Sequence, residues 1–298
     1  TERIRALCRR RNALILAHNY TLPEVQDLAD FVGDSLELAS RAAAARAEVI
    51  VFCGVHFMAE TAAILNPGAT VLMPDRRAGC PMASMVTAGQ LRQARAQHAG
   101  CAVVCYVNTS AAVKAETDVC CTSANAAAVV SSLPAQQPLL FVPDRNLGSW
   151  VSQVTGRRLV LWDGFCPTHQ RILAEHVVRA RGLYPGACVV AHPECTEPVR
   201  ALADHVASTS GMLAYCRNSS HEVFIIATEE GLLHRLQADS PRKRFVTAGP
   251  RPLCPNMKLT TAEKVLWCLE DMEGRVTVPL DVAVRARRAI ERMLAVSS

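Results

Sequence analysis

The feature that most constrains this chain is that it repeats itself three times, with a period near 87 residues. Each copy opens on a short apolar run of β type: Leu14-Ile15-Leu16-Ala17-His18, Ala102-Val103-Val104-Cys105-Tyr106 and Cys188-Val189-Val190-Ala191-His192. A helical stretch follows, and five residues after an aspartate comes a hydroxyl: Asp30 and Ser35, Asp118 and Ser123, Asp204 and Thr209. A second apolar run appears at Val49-Ile50-Val51-Phe52, Leu139-Leu140-Phe141-Val142 and Val223-Phe224-Ile225-Ile226. A third, at 70–73, 158–161 and 243–246, leads to a loop with a cysteine beside a proline: Cys80-Pro81, Cys166-Pro167 and Cys254-Pro255. His18 to Tyr106 and Ser35 to Ser123 are each 88 residues, and Cys80 to Cys166 is 86; the next interval gives 86, 86 and 88. Three positions agreeing in both intervals are hard to produce by accident. The period is too long for a solenoid repeat and suits a small βαβαβ unit.

Strands alternating with helices imply an α/β fold of parallel sheets sandwiched between helices, with ligands bound beyond the carboxyl ends of the strands. The polar residues of all three copies stand at such ends, so three converging units would surround one cavity. The expected units are 1–87, 88–172 and 173–258. Pro23 suits the first turn of a helix over 24–31, with Val25, Leu28, Ala29 and Val32 at helical spacing. Thr260-Thr261-Ala262-Glu263 matches a capping box and opens a final helical region, 259–298, expected to pack back on the first unit.

Half of the 298 residues are hydrophobic, enough to bury a large core. The formal charge of +5 is spread along the chain. Its densest basic run, Arg242-Lys243-Arg244, is too short for a nucleic-acid stripe, so no nucleic-acid partner is expected. No stretch approaches a membrane helix in length, and Thr1-Glu2-Arg3 is polar with no apolar signal region after it, so neither membrane nor secretory leader is expected. Thirteen cysteines is an odd count, which argues against a disulfide framework and for a reducing cytoplasm.

Most free cysteines are small core residues, and Cys120-Cys121, read as lying at a helix start, belong with those. Cys80, Cys166 and Cys254 differ because they are equivalent. Three thiolates without a nearby fourth suit a [4Fe–4S] cluster with one open iron, able to act as a Lewis acid. Zinc is the alternative metal, although the close C-x-x-C pairs of structural zinc sites are absent. Ser35, Ser123 and Thr209 read either as helix N-caps or as hydroxyls at anion-binding helix starts. His18, His192, Tyr20, Tyr106 and Glu194 are the candidate acids and bases around the same cavity, with Asp34 and His169 in supporting places.

These motifs resemble quinolinate synthase across nearly the whole chain. The matching stretches are His18-Asn19-Tyr20 with Pro23-Glu24-Val25-Gln26, Gly33-Asp34-Ser35, Arg77-Ala78-Gly79-Cys80, Tyr106-Val107-Asn108-Thr109-Ser110, 120–125, 143–148, His192-Pro193-Glu194-Cys195 and Cys254-Pro255-Asn256-Met257-Lys258. Two departures are Asn19, where the family often has an aromatic residue, and Pro81, where a small polar residue is common. The resemblance implies three α/β units around a pseudo-threefold axis, holding a [4Fe–4S] cluster through Cys80, Cys166 and Cys254. It implies condensation of iminoaspartate with dihydroxyacetone phosphate to quinolinate, releasing phosphate and two waters, on the de novo route to NAD. The substrate set it implies is His18, Ser35, Tyr106, Val107, Asn108, Ser123, His192, Pro193, Glu194 and Thr209. Glu194 and Tyr20 are the leading proton carriers, with Tyr106 and His192. Because free iminoaspartate hydrolyses, an aspartate oxidase or dehydrogenase is the expected functional partner. Rival readings are a cluster-dependent dehydratase of another hydroxy acid, a fully ligated redox protein and a zinc scaffold.

Overall fold

The computed structural model describes residues 1–296. Twelve strands form three four-stranded sheets, all parallel. The first contains β1 (Ala13–His18), β2 (Phe31–Gly33), β3 (Val49–Cys53) and β4 (Thr70–Leu72). The second contains β5 (Ala102–Tyr106), β6 (Val119–Cys121), β7 (Leu139–Val142) and β8 (Leu159–Leu161). The third contains β9 (Cys188–Ala191), β10 (His205–Val206), β11 (Val223–Ala227) and β12 (Arg244–Thr247). The order within each is the same, β2-β1-β3-β4 and its equivalents. The expected architecture of three similar αβα units is therefore present.

The central strands are continuous apolar runs, with every residue of β3, β5, β7 and β9 buried. This is the pattern of a sheet covered by helices on both faces. Edge strands β2, β6 and β10 have only three, three and two residues, too short to template pairing with another chain. They were missing from the expected three strands per unit. The first lies where helical spacing extended to Phe31 and Val32; the helix stops at Leu28, because a two-sided apolar strand has no period of its own. Cys120 and Cys121 sit on β6 rather than at a helix start, both fully buried.

One side-chain device recurs in every unit and explains the aspartate of the repeat. Asp30 accepts the backbone N–H of Ile15, Asp118 that of Val103 and Asp204 that of Val189, each at 2.7 Å. Each aspartate also pairs with an arginine from the preceding helix: Arg5, Arg95 and Arg181. The carboxylate ties the first strand of the unit to the chain entering its neighbour.

The three units share one apolar interior. Leu16, Ile50 and Phe52 of the first, Val103 and Phe141 of the second, and Val190, Phe224 and Ile226 of the third belong to a single buried cluster. Separate clusters back the outer faces of the first and third sheets. The helix Ala262–Asp271 packs on the first unit, against Glu2–Arg10, Pro23–Leu28 and β3. The helix Leu280–Val296 lies mainly on the second, against β6 and Ala111–Lys114, and touches His56–Leu65 of the first. No helix among the described residues is long and apolar enough to cross a membrane.

Replacing Asp118 by alanine leaves the Val103 N–H without its acceptor. A loss of about 1–3 kcal/mol is expected, the typical cost of orphaning a buried donor, and urea unfolding of the variant beside wild type checks it.

Candidate active site

Strand ends from all three sheets line a single central cavity. The contributions follow the repeat. Residues after the first strand of each unit supply His18 and Tyr20, Tyr106 and Asn108, and His192 and Glu194. Residues after the second strand supply Ser35, Ser123 and Thr209, and the loops after the fourth supply Cys80, Cys166 and Cys254. Val107 and Pro193 do not line the cavity. They occupy the middle position of each three-residue stretch, and alternation along an extended chain turns that position away while its neighbours face in. Asn19 holds the equivalent place and spends its amide on the Thr209 hydroxyl, 2.9 Å away.

The hydroxyls are not the helix caps. Asp34 caps Ser35–Ala44 and Ser208 caps Thr209–Asn218, while Ser123 precedes the helix Ala126–Ser132 altogether. Capping by the preceding residue leaves Ser35 and Thr209 at the first helical position, facing the cavity.

Each cysteine stands just before a short helical turn that its neighbouring proline opens: Pro81 caps Met82–Ser84, while Pro167 and Pro255 are the first residues of Pro167–Gln170 and Pro255–Lys258. Proline pre-sets the first helical dihedral, and the N–H groups of Ala83, His169 and Met257 then face the three sulfurs, those of Ala83 and Met257 also donating to the carbonyls of Cys80 and Cys254. Burial pushes all three thiols up, Cys80 to about 12, and these N–H groups oppose it. The thiols also feel one another's charge, Cys254 acting on Cys80 and Cys80 on Cys166. Three half-buried cysteines on one cavity, each with a backbone donor at its sulfur, suit an iron–sulfur group, whose sulfurs take such hydrogen bonds.

Two of the cysteine loops hang from buried carboxylates that the sequence reading did not single out. Asp144 accepts the N–H of Cys166 at 3.1 Å, and Glu229 accepts that of Cys254 at 3.0 Å. Both follow the third strand of their unit, 85 residues apart, so the same period could have revealed them. The first unit has Val55 there, as the matching bonds His56 to Ala78, Arg145 to Gly164 and Glu230 to Pro252 show. Glu229 also pairs with Lys258 at 2.9 Å, and the Lys258 ammonium donates to the Tyr20 carbonyl at 2.6 Å. The third cysteine loop is thereby fastened to the first unit.

Glu194 is the electrostatic centre. It is 3% exposed. Burial acts to raise its pKa, but the facing His169, with smaller help from His192 and the Tyr106 hydroxyl, overcomes this and holds it down to about 2. Its Oε2 lies 2.7 Å from His169 Nδ1, while Oε1 is buried without an aligned partner. His169 Nε2 lies 2.8 Å from the Thr228 hydroxyl, and Thr228 lies 2.6 Å from the Tyr20 hydroxyl. A continuous line of hydrogen bonds thus joins Tyr20 of the first unit, Thr228 of the third, His169 of the second and Glu194 of the third. Thr228 was missed because a threonine ending an apolar strand carries no sequence signal of its own.

His18 and His192 share a different geometry. Each accepts, at Nδ1, the backbone N–H two residues ahead, from Tyr20 at 3.1 Å and from Glu194 at 3.3 Å. That assignment places the proton on Nε2, and His192 Nε2 lies 3.2 Å from the Ser123 hydroxyl. Burial lowers both imidazoles to about 3, so they are neutral donors near pH 7. Burial, and then the charge of Glu194, pushes Tyr20 and Tyr106 well above the ordinary phenol range. Asn108 Oδ1 is buried with no partner. A cavity ringed by neutral N–H and O–H donors is built to take up carboxylate or phosphate oxygens.

The low folded-state pKa of His192 has a signed consequence. Between 6.5 and about 3 the unfolded chain binds a proton that the folded chain refuses, so stability falls as pH falls through that window. His192→Asn is expected to remove about 1.4 kcal/mol per pH unit of this loss, read from urea midpoints between pH 6.5 and 4.

Residues 2–295 match the family model described as Quinolinate synthetase A protein. The chain is 54% identical over 295 residues to the quinolinate synthase of Geobacter metallireducens, covering 99% of this chain and 97% of that protein. It is 55% identical over 294 residues to that of Methanoregula boonei, covering 99% and 97%. It is 55% identical over 292 residues to that of Desulforudis audaxviator, covering 98% and 96%.

Proposed function

The chain belongs to the quinolinate synthetase A family, and from that premise we propose that it condenses iminoaspartate with dihydroxyacetone phosphate to quinolinate, releasing phosphate and two waters in NAD biosynthesis. Family and donor set together point to iron–sulfur binding. We read the group as a [4Fe–4S] cluster on Cys80, Cys166 and Cys254, with units 1–87 (backed by the helix Ala262–Asp271), 88–172 and 173–258 each giving one ligand. When bound, such a cluster supplies a Lewis-acidic iron for a substrate oxygen.

The observation that carries the reading is the ring of neutral donors around three equivalent thiols and the buried, ionised carboxylate of Glu194. Ser35, Ser123, Thr209, His18 and His192 bind the acidic substrate groups, with Tyr106 and Asn108 beside them; Val107 and Pro193 lie outside this ring. Condensation requires proton abstraction beside a carbonyl and protonation of departing hydroxide. Tyr20, kept protonated by burial, is the proton donor, and Glu194 is the acceptor. The Tyr20 O–H donates to Thr228, Thr228 to His169 Nε2, and His169 Nδ1 to Glu194. A proton lost by Tyr20 can therefore be balanced along this line by rotating hydroxyls and exchanging the histidine tautomer, with no movement of the backbone. Tyr106 and His192 keep the substrate side of Glu194 dry and oriented.

Iminoaspartate hydrolyses in water, so the reaction needs a supply from an aspartate oxidase or dehydrogenase working nearby. A reducing cytoplasm suits the unpaired thiols. Anaerobically purified protein is expected to carry about four irons per chain, lost when Cys80, Cys166 or Cys254 is changed to alanine and kept when Cys53 or Cys195 is changed. Glu194→Gln and Tyr20→Phe, with iron intact, should lower quinolinate turnover by about 10²-fold or more. Turnover near wild type in Glu194→Gln would remove that residue from the proposed chemistry.

A further inference from the structure

One group of donors in the cavity is arranged for a single metal ion rather than a cluster. The Cys166 sulfur, His169 Nδ1 and a Glu194 carboxylate oxygen all lie within 4.8 Å of one another, with Nδ1 3.1 Å from the sulfur and 2.7 Å from Glu194 Oε2. Sulfur, imidazole nitrogen and carboxylate oxygen are the three ligand types of zinc. Bonds of about 2.0–2.3 Å in a tetrahedron hold ligand atoms a little over 3 Å apart. The Nδ1–sulfur distance already meets that spacing, the His169–Glu194 contact meets it by opening about half an ångström, and the sulfur and carboxylate oxygen, within 4.8 Å, have at most a short way to close.

Two further observations favour a cation here. Glu194 Oε1 is buried with no aligned partner, so the carboxylate has an unspent oxygen beside the three donors. The other nitrogen of His169 faces the Thr228 hydroxyl at 2.8 Å. A metal-bound histidine donates its second N–H to such a group, which fixes the tautomer and orients the ring. The stacked His192 ring, 4.7 Å away, holds the plane of His169 from the other side.

We propose that, whenever the cluster is absent, Cys166, His169 and Glu194 bind one Zn²⁺, and that this ion excludes the cluster. The Cys166 thiol proton leaves to water. The His169 proton moves from Nδ1 to Nε2, where it is donated to Thr228, so one proton is released per ion. The thiolate and carboxylate together cancel the ion's charge, which suits a buried site. Exclusion follows because one thiolate cannot serve both metals; that arm alone rests on the cluster reading above.

The test uses the full chain stripped of iron under anaerobic conditions and titrated with Zn²⁺ against a chelator. One ion per chain is expected. Its affinity should fall at least about 100-fold in Cys166→Ser, His169→Gln and Glu194→Gln and change less than about threefold in Cys80→Ser and Cys254→Ser. X-ray absorption at the zinc edge of the unmutated chain, which needs no variant to fold, should show one sulfur among nitrogen and oxygen neighbours. Zinc-loaded chain should then fail to take up iron and sulfide until a chelator is added. Three sulfurs around zinc, affinity lost equally in all three cysteine variants, or no site tighter than about 10 µM overturns the proposal. If iron never enters even the zinc-free chain, the cluster reading fails, while the absorption result still decides the zinc site.

Discussion

A parallel sheet sends the carboxyl ends of all its strands to one edge, and here three such edges meet around one cavity. Everything functional in the molecule depends on that convergence. No single unit holds a complete set of groups. The first supplies Tyr20, the second His169 and the third Thr228 and Glu194, yet these four form one line of hydrogen bonds. The aspartates that accept from Ile15, Val103 and Val189 matter because they hold the first strand of each unit to its neighbour, just before both deliver their polar ends to the site.

Burial sets the chemistry of that site. Water-exposed histidines would be half-charged near neutrality, but His18 and His192 are kept neutral by desolvation and offer N–H donors instead. Glu194, at the centre, stays ionised against its burial chiefly because His169 faces it at 2.7 Å. Glu229 shows the same economy elsewhere: it is wholly buried, matched by Lys258, and used to hang the Cys254 loop and the Tyr20 carbonyl from one charge pair. Negative charge in this interior is always attached to a donor that also does something for the backbone or the cavity.

Much of this was legible in the chain. The period located the strands that begin each unit, the equivalent cysteines and the cavity hydroxyls, because internal repetition compares each position with two others of the same structural role. It failed where a role is not repeated in kind. Asp144 and Glu229 match each other but have Val55 as their first-unit equivalent, so the signal is halved, and Thr228 acts in one unit only. The short strands β2, β6 and β10 escaped for another reason, since two or three residues carry no periodicity. The hydroxyls were legible either as caps or as anion-binding cavity groups, and at Ser35 and Thr209 the choice is a difference of one position that depends on where Asp34 and Ser208 turn their side chains.

By itself the sequence determined the α/β class, the threefold plan, the family and the three cysteines, since these rest on local pattern and on comparison along the chain. Tertiary structure alone decided which of the polar strand ends face inward, and that Val107 and Pro193 do not. It alone decided that His169 bridges Glu194 to Tyr20 through Thr228, and that the helix Leu280–Val296 lies chiefly on the second unit. The reason is physical: contacts between residues 59 or 208 positions apart depend on the angle at which three sheets pack, and that angle is set by their shared interior rather than by any stretch of neighbouring residues.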